Sequence, residues 1–118
     1  MAKFLLLEWM WDWLLNSPSF EFEWDKGNSS KSLVKHKVTT QEVEEVFLGR
    51  SAVPLGKRIE PQDSEDRYGI IGPTWHERLL MVVFTFRDVK VRAISSRPAS
   101  KKERKTYDKV RKITKRVQ

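Results

Sequence analysis

The feature that most constrains the fold is an apolar run of eight residues, Leu79–Phe86, in which Thr85 is the only polar side chain. Successive side chains of an extended strand point to opposite faces, so a strand with this sequence is apolar on both. Such a strand lies inside a sheet with both of its faces covered. Arg87, Arg92 and Arg97 follow it, and a buried strand that leads into several cations suggests a binding site for phosphate.

Charge is distributed unevenly along the chain. Residues 1–66 hold 8 Lys and Arg against 12 Asp and Glu, a net charge of −4, whereas residues 67–118 hold 15 against 4, a net charge of +11. Together these give the +7 of the whole chain. The asymmetry favours a polyanionic partner such as nucleic acid over an uncharged metabolite. The alternative is that the basic C-terminal segment is a solvated helix face.

Missing residue types exclude several kinds of site. The chain has no cysteine and only two histidines, His36 and His76, at unrelated positions. Disulfides, thiolate metal sites and thiol nucleophiles are therefore excluded, and a zinc site is not expected. The sequence also lacks a glycine-rich phosphate loop and a G-x-S-x-G motif. We expect a protein that uses no cofactor or metal. The lack of cysteine fits a reducing cytoplasm, which is the location we expect, or a protein indifferent to redox state.

The N-terminal segment is apolar enough to need a separate interpretation. Phe4–Leu15 contains three tryptophans, but it is shorter than the roughly 20 apolar residues that span a bilayer, and Glu8 and Asp12 interrupt it. We expect neither export nor membrane insertion. The spacing of the two acids predicts a helix with one polar face, whose other faces pack on the domain, on a second copy or on a partner. We treat residues 1–18 as a hydrophobic helical appendage to a single domain over residues 19–118.

Between this segment and the apolar run, the sequence predicts one strand and two helices. Phe20, Phe22 and Trp24 alternate with acidic residues, which is typical of a half-buried strand. A short helix is expected over residues 29–35. A second helix begins at Thr39, because Thr39 and Glu42 have the spacing of a capping box. The residues predicted to face the core are Val43, Val46 and Phe47. The outer face is predicted to carry Glu42, Glu44 and Glu45. Gly49 is the predicted C-cap residue.

The remainder of the chain predicts a small sheet and a terminal helix. Residues 50–66 hold at most a short edge strand at Ala52–Leu55, and three antiparallel strands are expected at residues 67–72, 78–86 and 89–95. Ser100 and Glu103 form a second capping box. The helix that follows would turn Tyr107, Val110, Ile113 and Val117 to the core. The predicted fold class is α+β, with an antiparallel sheet of about four to five strands packed against helices.

Six short blocks carry a resemblance to a known family. They are Phe22–Asp25, Lys35-His36 with Val38, Glu45–Phe47, Glu65 with Arg67, Tyr68 and Gly72, Arg78–Arg87, and Arg92–Tyr107. In this order, over about residues 20–110, they are similar to the BrnT family of bacterial toxins. Two positions depart from the family pattern. Lys37 stands where the family usually has the glycine of Lys-His-Gly-Val, and Ser32 stands where it often has asparagine.

The resemblance implies a RelE/ParE-like α+β fold for the domain over residues 19–118. It implies a toxin of a type II toxin–antitoxin system that cleaves RNA and so inhibits translation. It also implies a BrnA-type antitoxin with a ribbon-helix-helix domain, and operator DNA would be bound only through that antitoxin.

The chemistry of RNA cleavage without a metal points to particular residues. The 2′-hydroxyl is the nucleophile, so the site needs a proton acceptor, a proton donor and cations around the phosphorane. Histidine is the side chain that titrates nearest neutral pH, which makes His36 the candidate acid or base, with Lys35 or Glu65 as substitutes. The candidates for holding phosphate oxygens are Arg67, Arg92 and Arg97, since a guanidinium stays charged and binds two oxygens. They come from neighbouring strands or a strand end, so a shared site is expected.

Other candidates concern RNA binding. Tyr68 can stack on a base, and Arg87, Lys101, Lys102 and Arg104 can bind phosphates. The alternatives are packing for Tyr68, a surface ion pair with Glu65 or Asp66 for Arg67, and a strand-end charge for Arg97. For His36 the alternative is a helix-end hydrogen bond, and for the helix cations it is an acidic antitoxin as the partner. Two other functions are compatible with the sequence: a non-catalytic nucleic-acid-binding or adaptor module on the same fold, and a docking protein built around the Trp-rich helix.

Overall fold

The computed structural model of the chain describes residues 3–62 and 64–117, with all side chains in these ranges except those of Leu33 and residues 114–117. The described elements, in chain order, are β1 Lys3–Leu5, α1 Glu8–Asn16, α2 Lys31–His36, α3 Thr40–Leu48, β2 Val53–Glu60, β3 Tyr68–Pro73, β4 Leu79–Arg87, β5 Lys90–Pro98 and α4 Lys101–Val117. Within the described ranges, no helix is both long and apolar enough to cross a membrane.

The strands form one antiparallel sheet in the order β1-β2-β3-β4-β5. The apolar run becomes β4, which lies between β3 and β5 and has seven of its nine residues buried. The prediction that both faces of this strand are covered is therefore confirmed, as is the α+β class with its antiparallel sheet.

Helices cover the two faces of the sheet. On one face, α1 and α3 pack against β3, β4 and β5 around a core that includes Met10, Leu14, Val46, Phe47, Ile70 and Phe84. On the other face, the start of α4 packs against a smaller core that includes Ile71, Leu79, Met81, Val83, Ala99 and Tyr107. The two cores share β4, whose alternate side chains enter one or the other.

The N-terminal segment differs from the single helix that was predicted. Residues 3–5 form β1, which pairs with β2 at the edge of the sheet, and α1 places Met10 and Leu14 in the core with 0% and 2% exposure. Of the three surfaces expected to cover this helix, the domain itself covers Met10 and Leu14, whereas Trp9 and Leu15 are 45% and 38% exposed. A separable appendage over residues 1–18 stays a prediction, and the burial of Met10 and Leu14 argues against it.

Two glycines explain how β1 fits beside the sheet. Gly56 of β2 has a φ of +117° and lies so close to β1 that a Cβ atom there would be 2.0 Å from the Leu5 carbonyl oxygen. At Gly69 of β3, a Cβ atom would be 2.6 Å from the Phe4 ring. A larger side chain at Gly56 would clash with the backbone of β1, and one at Gly69 would displace the Phe4 ring.

Strand β2 is longer than predicted. A short edge strand at Ala52–Leu55 was expected, but β2 runs from Val53 to Glu60 and has neighbours on both sides. The charges of Lys57 and Arg58 concealed it, because their side chains are only half-buried in the structure and do not produce a regular apolar alternation.

The segment around Phe22 was predicted to be a strand, but it is not one in the structure. Residues 20–25 make only one bridge, in which Glu23 N donates to Val91 O and Val91 N donates to Glu21 O, both at 2.8 Å. The predicted face is nevertheless correct, since Phe20, Phe22 and Trp24 pack against the main core. The segment is held beside the outer edge of β5.

Helix α3 has the predicted start and the predicted C-cap residue but a different outer face. Both bonds of the capping box between Thr39 and Glu42 are present. Glu45 was expected on the exposed face, but it is 4% exposed and accepts hydrogen bonds from Gln41 and from Trp75 N. Gly49 is the C-cap residue in a right-handed conformation, and the following Arg50 adopts the left-handed one, with φ 59°.

Helix α4 leaves the sheet after its first turns. The Tyr107 hydroxyl donates to Ser51 O at 3.0 Å, and burial raises the pKa of that phenol. Ile113 was predicted to face the core, but it is 54% exposed and belongs to neither core. The prediction for the Val117 side chain lies outside the described side chains.

Candidate functional site

Helix α2 and strand β5 form an open cleft, which we call the α2–β5 cleft. Its described lining is Lys31, Ser32, Lys35, His36, Ser95 and Arg97. Lys31 and Lys35 are four residues apart and therefore lie on the same face of α2. The lining combines two lysines, one arginine and one histidine, and no carboxylate belongs to it among the described side chains.

Two features of β5 bring these residues together. The strand continues to Pro98, three residues further than predicted, so Ser96 and Arg97 are part of the sheet. Ser96 N donates to the Ser32 hydroxyl at 3.0 Å, which fastens α2 to this part of the strand. A bulge lies just before it, because Val83 pairs with Ser95 while the next residue, Phe84, pairs with Ala93. Bulges of this kind redirect side chains at the edge of a sheet.

Arg97 is held by Glu103 at the start of α4. The Nη1–Oε1 and Nη2–Oε2 distances are both 2.8 Å, and Nη1 also donates to Pro98 O at 3.2 Å. The hydrogen bonds to Glu103 raise the pKa of Arg97. Burial acts to raise the pKa of the Glu103 carboxyl, but the bonds from Arg97 and Ser100 N outweigh burial and hold this pKa below its ordinary value of 4.5.

Arg92 lies outside the cleft lining and is bound to two carboxylates. Its Nη1 is 2.9 Å from both Glu23 Oε1 and Asp25 Oδ2, and its Nη2 is 3.1 Å from Asp25 Oδ1. The Arg92 side chain is 15% exposed. Its hydrogen bonds lower the pKa of the Asp25 carboxyl. The contacts tie the segment around Asp25 to β5, which is a structural role for Arg92.

Arg67 and Arg87 also lie outside the cleft lining. Arg67 precedes β3, and its carbonyl accepts a hydrogen bond from Arg58 N at 2.7 Å. Arg87 ends β4 and forms an ion pair with Glu65. Glu65, which was a candidate substitute for the base, is therefore bound to a cation. Of the three arginines expected to share a site, the structure brings Arg97 alone into the cleft with Lys35 and His36.

The candidate RNA-binding residues are dispersed. The Tyr68 ring packs against Trp9, Phe84 and Phe86, with centroid distances of 5.6, 5.8 and 5.5 Å, and burial raises its pKa. These contacts agree with the packing alternative. The side chains of Lys101, Lys102 and Arg104 are exposed on the first turn of α4, next to the Glu103 that binds Arg97.

Four residues of this region were missed as site residues. Lys31, Ser32 and Ser95 line the cleft. Their sequence signals were the spacing of Lys31 from Lys35, the departure from the family pattern at Ser32, and the place of Ser95 in the last block of the family resemblance. Arg78 contacts the backbone at the end of α2. It was visible only as part of the family resemblance. His76 lies in the exposed turn before β4, as expected.

The cleft has the groups that phosphodiester chemistry requires. Its cations can neutralise phosphate oxygens, and its imidazole can accept or donate a proton. Over the part of the chain that the structure describes, no group of three or more His, Asp and Glu residues is placed to hold a metal ion.

Comparisons with known proteins agree with the family resemblance seen in the sequence. A sequence model of the family described as "Ribonuclease toxin, BrnT, of type II toxin-antitoxin system" matches residues 24–103. The fold is similar to the 1.1 Å crystal structure of the Brucella abortus ribonuclease toxin BrnT, with a TM-score of 0.50 and 21% identity over 70% of this chain and 100% of that one. No curated protein matches the chain.

Proposed function

This chain belongs to the BrnT family of ribonuclease toxins of type II toxin–antitoxin systems, and from that premise we propose that it is a metal-independent endoribonuclease with its active site in the α2–β5 cleft. The substrate would be RNA, and its cleavage would inhibit translation. The observation that carries the proposal is the meeting of Lys35 and His36 on α2 with Arg97 on β5 in a cleft whose described lining has no carboxylate.

The reaction we propose needs only groups of the RNA and of the cleft. The 2′-oxygen attacks the adjacent phosphorus, the bond to the 5′-oxygen breaks, and the products are a 2′,3′-cyclic phosphate and a 5′-hydroxyl. His36 exchanges protons with the reacting oxygens. Lys35 and Arg97 stabilise the charge that develops on the phosphorane. Arg97 does so with the same guanidinium N–H groups that bind Glu103 in the structure. Arg67 and Arg92 act in our proposal as supports of the fold rather than at the phosphate.

Helix α4 supports the proposal that RNA continues beyond the cleft. Lys101, Lys102 and Arg104 lie in its first turn, where the helix dipole favours anions and disfavours cations. The cations therefore do not stabilise this end of the helix, but they are suited to bind the phosphate backbone of RNA. Tyr68 and Arg87 have partners within the fold, and we give them a smaller part in RNA binding.

The partner we propose is a BrnA-like antitoxin with a ribbon-helix-helix domain, with the two proteins forming a hetero-oligomer in the cytoplasm. Expression of the chain alone is then expected to arrest growth, and co-expression of the antitoxin encoded beside it to restore growth. Growth arrest that the neighbouring gene does not relieve would contradict this pairing.

A second candidate function is a non-catalytic RNA-binding or adaptor module. The specific observation in its favour is that Arg97 and Arg92 are both bound by carboxylates of the same chain. A module of this kind would bind RNA with a steep dependence on salt and would release no fragments.

The two candidates are separated by incubating the purified protein with a 5′-labelled mixed-sequence RNA in EDTA. The chain offers a matched pair of variants, since His36 lies in the cleft and His76 is exposed in a turn. We expect fragments with 2′,3′-cyclic phosphate ends from wild type and His76→Ala, and none from His36→Ala. Intact RNA with folded wild type would favour the binding module. Equal cleavage by His36→Ala would place the site elsewhere.

A further inference from the structure

Helix α2 is too short to be stable without contacts to the rest of the fold. It has six residues, whereas isolated helices shorter than roughly 12 residues are marginal in water. Its position over β5 must therefore come from specific contacts. One of them is the bond from Ser96 N to the Ser32 hydroxyl, in the first turn of the helix. The other end carries Lys35 and His36.

Among the described side chains, Arg78 holds that other end. Its Nη2 donates to His36 O at 3.0 Å, and its Nη1 donates to Lys37 O at 2.8 Å. Carbonyls at the C-terminus of a helix lack partners within the helix, and a guanidinium is a suitable partner because it is charged and carries several donors in one plane. The Arg78 side chain is 32% exposed.

Arg78 is itself fixed to α3. Its Nη1 is 3.2 Å from both carboxylate oxygens of Glu42. Its backbone N donates to the Thr74 hydroxyl at 3.1 Å, and Trp75 in the same turn donates from its backbone N to Glu45 Oε1 at 3.0 Å. Two carboxylates of α3, one turn apart, thus hold the turn and the guanidinium that bind the end of α2.

We propose that Arg78 is a positioning residue, which sets where the Lys35–His36 end of α2 lies relative to Arg97. The consequence for catalysis rests on the function proposed above, but the contact with α2 does not. A displacement of about 1 Å in a reacting group can lower a rate by about a hundredfold. Loss of Arg78 therefore lowers the rate of cleavage at saturating RNA, while the cations that bind RNA are all still present.

The chain provides a matched control in Arg50. Its Nη1 donates to Leu14 O near the C-terminal end of α1 at 3.1 Å, so Arg50→Gln also removes a guanidinium from a helix-end carbonyl. Helix α1 contributes no residue to the described lining of the cleft. If the effect comes only from losing such a bond, both Arg50→Gln and Arg78→Gln should show it. If it comes from the cleft, only Arg78→Gln should show it.

The test combines amide exchange with kinetics in the whole chain. The Val38 N–H donates to Ser32 O at 3.2 Å and belongs to a residue that is 1% exposed, so its exchange reports on the end of α2. In Arg78→Gln we expect exchange at Val38 to be about tenfold faster or more, because the charge-assisted bonds to His36 O and Lys37 O are both lost. We also expect kcat for RNA cleavage to fall about tenfold to hundredfold with KM little changed. Arg50→Gln should change neither, and Arg78→Lys, which keeps the charge, should lie between.

Each outcome decides a different point. Unchanged exchange at Val38 in a folded Arg78→Gln protein would overturn the proposal, whatever the activity. Faster exchange with unchanged kcat would overturn the positioning role. If Arg78→Gln does not fold, Arg78→Lys carries the same comparison. If wild type cleaves no RNA, the proposed function fails, and the exchange data still decide whether Arg78 holds α2.

Discussion

Arg97 and Glu103 are joined by two parallel hydrogen bonds, Nη1 to Oε1 and Nη2 to Oε2, each 2.8 Å long. Glu103 Oε1 also accepts a bond from Ser100 N, at 2.8 Å. One carboxylate thus caps α4 and orients the guanidinium that lines the α2–β5 cleft. Because a phosphate would use the same fork of donors, the site and the start of α4 are linked through Glu103.

The first prediction concerns stability in acid. The folded-state pKa of Glu103 lies below its ordinary value of 4.5. Its carboxylate therefore contributes stability that is fully present above pH 4.5 and is lost as the pH falls through the folded-state pKa. We expect Glu103→Gln to lower the free energy of unfolding at pH 7 by about 1 kcal/mol. The difference from wild type should shrink below pH 4.5, as measured by urea unfolding at a series of pH values. A difference that stays constant from pH 7 to pH 3 would contradict this account.

The second prediction concerns Lys37, where the family usually has glycine. Lys37 follows α2 with φ 56°, in the left-handed region that L-residues adopt at a cost and glycine adopts freely. We expect Lys37→Gly to raise the free energy of unfolding by about 1 kcal/mol. Lys37→Ala removes the same charge and keeps the unfavourable conformation, so it should not stabilise. Equal stability changes in the two variants would show that φ is not the cause.

The third prediction concerns the N-terminal helix. Leu14 and Leu15 are neighbours in α1, but Leu14 is 2% exposed and Leu15 is 38% exposed. We expect Leu14→Ala to cost about 2–5 kcal/mol because it leaves a cavity in the core, and Leu15→Ala to cost about 0.5 kcal/mol. Chemical denaturation measures both values. If both variants are as stable as wild type, residues 1–18 are a separable appendage after all.

The fourth prediction separates structural from catalytic arginines. Arg92→Ala removes the link between β5 and the segment carrying Glu23 and Asp25, and we expect it to lower Tm by about 5 °C. Arg87→Ala removes the more exposed pair with Glu65 and should change Tm less. Neither should alter the cleavage rate of the folded protein at saturating RNA. An Arg92→Ala variant with normal Tm and no cleavage would instead put Arg92 at the phosphate.

Local features of this fold were predictable from sequence. The capping boxes at Thr39 and Ser100 each depend on two residues three positions apart, and both are present. The coverage of β4 follows from its own composition, since a strand that is apolar on both faces has to be buried on both. The family resemblance added the fold and the function, which no single pattern in the chain specifies.

Features that depend on distant partners were not predictable. The apolar residues of β1 suit a helix equally well, and the strand forms because Gly56 and Gly69, more than 50 positions away, leave room for it. Arg92 was correctly placed on β5, whereas Arg97 was expected just beyond the strand and lies within it. Their different environments come from carboxylates on other elements, Glu23 and Asp25 for one and Glu103 for the other. Sequence spacing carries no information about such pairings.

The central claim is that RNA is cleaved in the α2–β5 cleft, and two double variants with the same loss of charge test it most directly. Lys31 and Lys35 are four residues apart on α2 in the cleft, whereas Lys105 and Lys109 are four residues apart and exposed on α4 outside it. We predict that Lys31→Ala/Lys35→Ala lowers kcat/KM for a labelled RNA by about a hundredfold or more, and that Lys105→Ala/Lys109→Ala has a much smaller effect. Equal losses in the two proteins would mean that only net charge matters, and would contradict a site in this cleft.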